Sequence, residues 1–111
     1  VRSGDLVFAS CQIGLDPATG ALVGDDVRSQ TKQILQNLAG VLEAAGSGLS
    51  GVLRTTVYLT RMATFAEMND VYAGCFAPHR PARSTMEVAA LPLGAQVGID
   101  AIAIAGREST P

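Results

Sequence analysis

Apolar and polar positions alternate or recur along the chain in a way that fixes most of its elements. Leu6 to Ser10 is a short apolar strand, opened by the turn residues Ser3-Gly4-Asp5. Asp16-Pro17-Ala18-Thr19-Gly20 is a loop with clear turn chemistry. Asp25-Asp26 then offers a cap and favourable charge to a helix, and Gly46 is placed to end it. Within that helix Val27, Ile34, Leu38, Val41, Leu42 and Ala45 recur at helical spacing, opposite Arg28, Lys32, Gln36 and Glu43. Val52 to Thr60 is rich in β-branched and aromatic residues and predicts a strand.

The second helix is signalled by Thr64-x-x-Glu67, a capping-box pattern, followed by Phe65, Met68, Tyr72 and Phe76 on one face. Pro78 and Pro81 stop it and frame a loop holding His79 and Arg80. Ala82 to Ala89 is a strand, Leu91-Pro92-Leu93-Gly94 a turn, and Gln96 to Ala105 the last strand. The order β-α-β-α-β-β predicts an α+β domain: a mixed β-sheet with two helices on one face, spanning residues 1–106. The polar residues 107–111 read as a tail that frays.

Composition changes this picture in one respect. Hydrophobic residues make up 48% of 111 and charged ones only 16%, more apolar surface than so small a domain hides by itself. The sheet face without helices needs a cover, so the expectation is a homo-oligomer joined through that face. The net charge is −2 and no basic stripe runs along the chain, which disfavours nucleic acid as the main partner. No apolar run approaches the ~20 residues of a membrane span, and no secretory signal pattern is present, so a cytoplasmic location is the default. Cys11 and Cys75 are the cysteines and His79 the single histidine. That set gives no metal-ligand spacing and reads as two reduced thiols, one buried in a helix.

Chemistry-bearing motifs are few. There is no G-x-G-x-x-G, P-loop or G-x-S-x-G, so no cofactor is expected. His79 sits in a Pro-flanked loop, where a histidine is more often a surface residue than half of a catalytic pair. Arg83 stands inside the strand PARSTMEV, with Thr85 and Glu87 on its face and Ser84, Met86 and Val88 on the other. Arginine suits a carboxylate or phosphate as a rigid fork. On residue type alone, a solvent-facing strand arginine outweighs that anchor.

The chain resembles the Rid family of reactive-intermediate deaminases, also called the YjgF or L-PSP family. The matching stretches are LVFASCQIGLD (6–16), Thr19-Gly20, QTKQILQNLAGVLEAAG (30–46), Val57-Tyr58-Leu59, FAEMNDVY (65–72), PARSTMEV (81–88), Leu91-Pro92 and IDAIA (99–103). They run in order along nearly the whole chain. The resemblance implies a chorismate-mutase-like subunit in a homotrimer with pockets between subunits. It implies hydrolysis of enamine and imine intermediates to 2-keto acids and ammonia. By the same resemblance Arg83 is the catalytic clamp on the substrate carboxylate, assisted by the Thr85 backbone N–H. Asn69 and Pro92 lie close to the pocket in relatives.

Three positions depart from the family pattern. Its last strand reads E-I-E-A-I-A, with a water-positioning first glutamate, where this chain has Gly98. Asp100 lies on the same strand face but about 6.6 Å away, and reads as a rim or structural carboxylate. The usual S-G-Q reads Ser10-Cys11-Gln12, so a thiol should reshape the pocket. The family's N-terminal segment with its pocket-lining tyrosine is expected to precede Val1. Two functional readings follow: an imine deaminase acting on a small carboxylate-bearing imine, and a non-catalytic binder of small carboxylates that keeps the anchor without the water site. A ribonuclease or translation-inhibitor role ranks behind both.

Overall fold

The computed structural model describes residues 1–106; the expectation for the tail 107–111 lies outside the described residues. A five-stranded mixed sheet is built from β1 (Arg2–Ser3), β2 (Leu6–Gln12), β3 (Val52–Leu59), β4 (Ala82–Glu87) and β5 (Val97–Ile104). Its order is β1-β2-β5-β3-β4, with β3 and β4 parallel and the other pairs antiparallel. Helices α1 (Val27–Ala44) and α2 (Phe65–Phe76) cover one face. The α+β layout expected from the sequence is therefore present, with one addition. Gly4-Asp5 turns the chain back on itself, so Arg2 and Ser3 pair with Val7 and Leu6 as a fifth strand.

Helix α1 forms where its caps and apolar spacing require it. The Asp26 carboxylate accepts from the Ser29 N–H at 2.9 Å, satisfying one of the four free donors at the helix start. At the other end Gly46 takes φ +84, and Gly46 and Ser47 donate to the carbonyls of Glu43 and Leu42. These are the two bonds of a Schellman cap. The helix buries Val27, Ile34, Leu35, Leu38 and Leu42, whereas Val41 is 43% exposed. The buried stripe differs from the expected one by one residue: Leu35 is buried in the core and Val41 looks outward.

Helix α2 starts differently from the capping-box expectation. A single 3₁₀ turn, Met62–Thr64, leads into it, and the Thr64 hydroxyl donates back to the Arg61 carbonyl at 2.7 Å. No side-chain bond caps the first turn. The buried face is Met68, Tyr72 and Phe76. Cys75 falls off that stripe and is exposed, which corrects the expectation of a buried helical thiol.

Strand alternation sorts the sheet into two surfaces. Val7, Ala9, Thr55, Val57, Leu59, Val97, Ile99, Ala101 and Ala103 face the helices and are buried. The opposite face carries Leu6, Phe8 and Met86, exposed by 37%, 41% and 43%, beside Ile102 and Ile104 across the β2–β5 ladder. No described element covers this second face.

Because Leu38 is wholly buried and Val41 is not, truncating them should differ sharply. Leu38→Ala is expected to cost about 2–5 kcal/mol and Val41→Ala under about 0.5 kcal/mol, measured by urea unfolding. Equal losses would show that the helix face is assigned wrongly.

Candidate functional site

Arg83 does not point into solvent. Its register partner on β3 is Thr55, a residue buried beneath α2, so Arg83 also lies on the helix side of the sheet. The arginine is partly buried against three residues of α2. Its Nη1 donates to the Asn69 Oδ1 at 2.7 Å. Its guanidinium carbon lies 4.7 Å from the Tyr72 ring centre and 5.3 Å from that of Phe65. The solvent-facing reading favoured by residue type is overturned by this burial. The helix puts Phe65, Asn69 and Tyr72 on one face at positions i, i+4 and i+7, and the edge strand β4 runs beneath that face.

This arrangement is suited to an anion. Aromatic faces attract the cation and stiffen the side chain. Asn69 holds one N–H without contributing negative charge, so the guanidinium keeps its full charge and further donors for a ligand. Tyr72 is itself fixed, its hydroxyl 2.6 Å from the Thr55 hydroxyl. Burial, chiefly, raises the Tyr72 phenol above its ordinary pKa, with Thr55 and Arg83 opposing. It therefore stays a neutral wall of the site at physiological pH.

Arg83 and Asn69 open onto a cleft of about 600 Å³ that also takes in Tyr72, Phe76 and the loop from Ala77 to Pro81. His79 in that loop is partly buried, with Nε2 2.6 Å from the Val52 carbonyl. It is a tie between the loop and β3 and not the surface residue expected. Thr85, two positions on from Arg83, shares its strand face and pairs with Val57.

A second group of predicted residues gathers elsewhere. Val97, Ile99 and Ala101 face the helices, so Gly98 and Asp100 face the open side of the sheet. There Gly98 lies against Cys11: a Cβ built on Gly98 would sit 2.7 Å from the Cys11 Sγ and 3.6 Å from Leu91 Cδ2. The thiol thus occupies the space into which a side chain at position 98 would start. Partial burial first, and then the Asp100 carboxylate, push the Cys11 thiol above its ordinary pKa, so it is held protonated. Asp100 accepts from the Tyr58 hydroxyl at 2.9 Å and the Thr56 N–H at 3.1 Å. Both its oxygens are engaged, which fits a structural carboxylate. Pro92 begins an exposed 3₁₀ turn, Pro92–Gly94, before β5, and that turn's neighbour Leu91 reaches the Cys11–Gly98 contact.

Within one chain, then, Arg83, Asn69 and Thr85 lie on the helix side, and Cys11 and Gly98 on the open side. The site residues that sequence reasoning missed are Phe65 and Tyr72, taken only as the apolar face of α2. Their signal was present: an asparagine sits between two aromatics on one helical face, opposite a strand arginine.

Comparison with known proteins bears on what this arrangement is. A family model described as endoribonuclease L-PSP matches residues 1–105. A RutC family protein of Pyrococcus horikoshii is 45% identical over 103 residues, covering 93% of this chain and 82% of the relative. The 2-iminobutanoate/2-iminopropanoate deaminase of Rattus norvegicus is 41% identical over 104 residues, covering 94% and 76%. Among solved structures, E. coli TdcF with bound serine superposes with a TM-score of 0.88 at 36% identity, covering 94% of this chain and 84% of that one.

The Cys11–Gly98 contact predicts a coupled pair. Gly98→Ala should cost about 1 kcal/mol, because the sulfur must rotate away. In a Cys11→Ala background that cost should shrink, giving a coupling of at least about 0.5 kcal/mol in a double-mutant cycle by urea unfolding. Strictly additive effects would mean that the two residues do not share one space.

Proposed function

The chain belongs to the endoribonuclease L-PSP family, also called the Rid family, and from that premise we propose that it hydrolyses small 2-imino acids to 2-keto acids and ammonia. Relatives at 40–44% identity are named 2-iminobutanoate/2-iminopropanoate deaminase or reactive intermediate deaminase. The observation that carries the reading is Arg83: a partly buried guanidinium held by a neutral amide and two aromatic rings, at the wall of a cleft.

In the proposed reaction Arg83 binds the carboxylate next to the C=N carbon, and the Thr85 backbone N–H supplies a further donor. Fixing that group orients the imine and, by its positive charge, draws electrons from the carbon that water attacks. Water adds its oxygen to that carbon, and the electron pair of the C=N bond moves to nitrogen. With no carboxylate among the residues lining the cleft and no side chain at Gly98, the proton released by water goes to the substrate's own nitrogen. The remaining hydroxyl proton then passes to the same nitrogen, and ammonia leaves as the carbonyl forms. The products are one 2-keto acid and one ammonia for each imine and water consumed.

The proposed reading includes a homotrimer. The uncovered sheet face exposes Leu6, Phe8 and Met86, and burying their apolar surface would contribute favourable free energy. In the proposed assembly the Arg83 cluster of one copy meets the Cys11–Gly98 surface of another, joining two groups that one chain keeps on opposite faces. A cytoplasmic setting accords with reduced cysteines, and no described helix is long and apolar enough to cross a membrane.

A second reading has its own observation. No carboxylate of the described residues lines the Arg83 cleft, and Asp100 on the other sheet face has both oxygens bonded, so a carboxylate-binding protein without turnover retains support. The ribonuclease reading has less, since His79 is tied to a backbone carbonyl and no acid stands with it in the cleft.

Turnover separates these. With 2-iminobutanoate generated in situ, the protein should accelerate 2-oxobutanoate release, and Arg83→Ala should lower that acceleration at least ~10²-fold. Arg83-dependent binding of 2-oxobutanoate without acceleration would select the non-catalytic binder. Equal acceleration by Arg83→Ala would defeat both.

A further inference from the structure

The cleft that holds Arg83 carries a second cation. Arg80 lines it as well, three positions earlier, and no aspartate or glutamate is among the residues that form it. Arg83 is bonded to a neutral amide. Arg80 has no ion pair among the described residues, where the salt bridge present is Arg28–Asp70, outside the cleft. In a chain of net charge −2, two uncompensated arginines in one concavity are an unusual concentration of positive charge.

The residues on either side of Arg80 restrain its backbone. On one side His79 is bonded to the Val52 carbonyl at 2.6 Å. On the other, Pro81 fixes its own φ and restricts Arg80 to extended conformations directly before β4. Three residues of chain span at most about 10 Å between the two Cα atoms, and both residues line the one cleft. Tyr72 and Phe76 line the cleft between α2 and this loop and offer apolar contact to a carbon skeleton. At about 600 Å³ the cleft has more room than a three-carbon acid fills.

We propose that the preferred ligand is a dicarboxylic 2-imino acid of four or five carbons, with Arg83 on the carboxylate beside the imine and Arg80 on the distal one. A monoanion leaves one guanidinium without a counter-charge, whereas a dianion satisfies both. This rests on Arg83 being the carboxylate anchor proposed above.

The test uses two keto acids of equal carbon number that differ in the distal carboxylate, 2-oxopentanoate and 2-oxoglutarate, titrated calorimetrically into the full chain at low salt. 2-Oxoglutarate should bind about tenfold tighter or better, and the preference should shrink as salt is raised. In Arg80→Gln the ratio of the two affinities should fall to about one, while Arg83→Ala should weaken both acids. Circular dichroism confirms that each variant is folded. If 2-oxoglutarate binds no tighter than 2-oxopentanoate, or if the preference survives Arg80→Gln, the inference is overturned. Should 2-oxopentanoate still depend on Arg83 in that event, the anchor stands alone. Loss of any Arg83 dependence would remove the anchor and this inference together.

Discussion

A positive charge held in place by a neutral partner is the constraint on which the rest of this structure turns. Arg83 is partly buried, yet its hydrogen-bond partner is the Asn69 amide. Desolvating a cation costs free energy unless something compensates it. Here the compensation is partial: two aromatic faces and one amide oxygen. A carboxylate at position 69 would have stabilised the cation more and neutralised its charge. The side chain is therefore oriented by its surroundings but left electrostatically unsatisfied, the state in which an arginine binds an incoming anion best.

The fold supplies that state through simple means. Helix α2 presents one face containing both aromatic rings and the amide, and β4 is the edge strand lying under it. Tyr72 is anchored by Thr55 on the neighbouring strand, so the wall against Arg83 is tied to the centre of the sheet. On the reverse side of the same sheet, Cys11 fills the space beside Gly98 and Asp100 is bonded to Tyr58 and Thr56. These two groups are separated by the thickness of the sheet, which is why association of copies and chemistry are linked in the proposed function.

Much of this was legible in the residues, and the exceptions have physical causes. Strands and helices followed from periodicity, because one covered sheet face imposes alternation and one packed helix face imposes a spacing of three and four. The misplacement of Val41 for Leu35 arose because both extend the same stripe, and only packing against the sheet chooses between them. Thr64 and Glu67 match a capping box in spacing, but the 3₁₀ turn before α2 sends the threonine hydroxyl to Arg61 instead. Arg83 could be placed on a strand face but not on the covered one, since that depends on the parallel pairing of β4 with β3. The family resemblance, and not composition, identified it as an anchor. Neither source revealed the contact between Cys11 and Gly98, which are 87 positions apart and meet only through the β2–β5 pairing.

The most direct measurement of the central claim is an experimental structure of the protein with 2-oxobutanoate bound. The account predicts the ligand carboxylate within hydrogen-bond distance of the Arg83 guanidinium, with Asn69 still holding its other side. It also predicts a second copy of the chain closing the cleft with its open sheet face. A ligand bound away from Arg83, or Arg83 paired with a protein carboxylate, would contradict it.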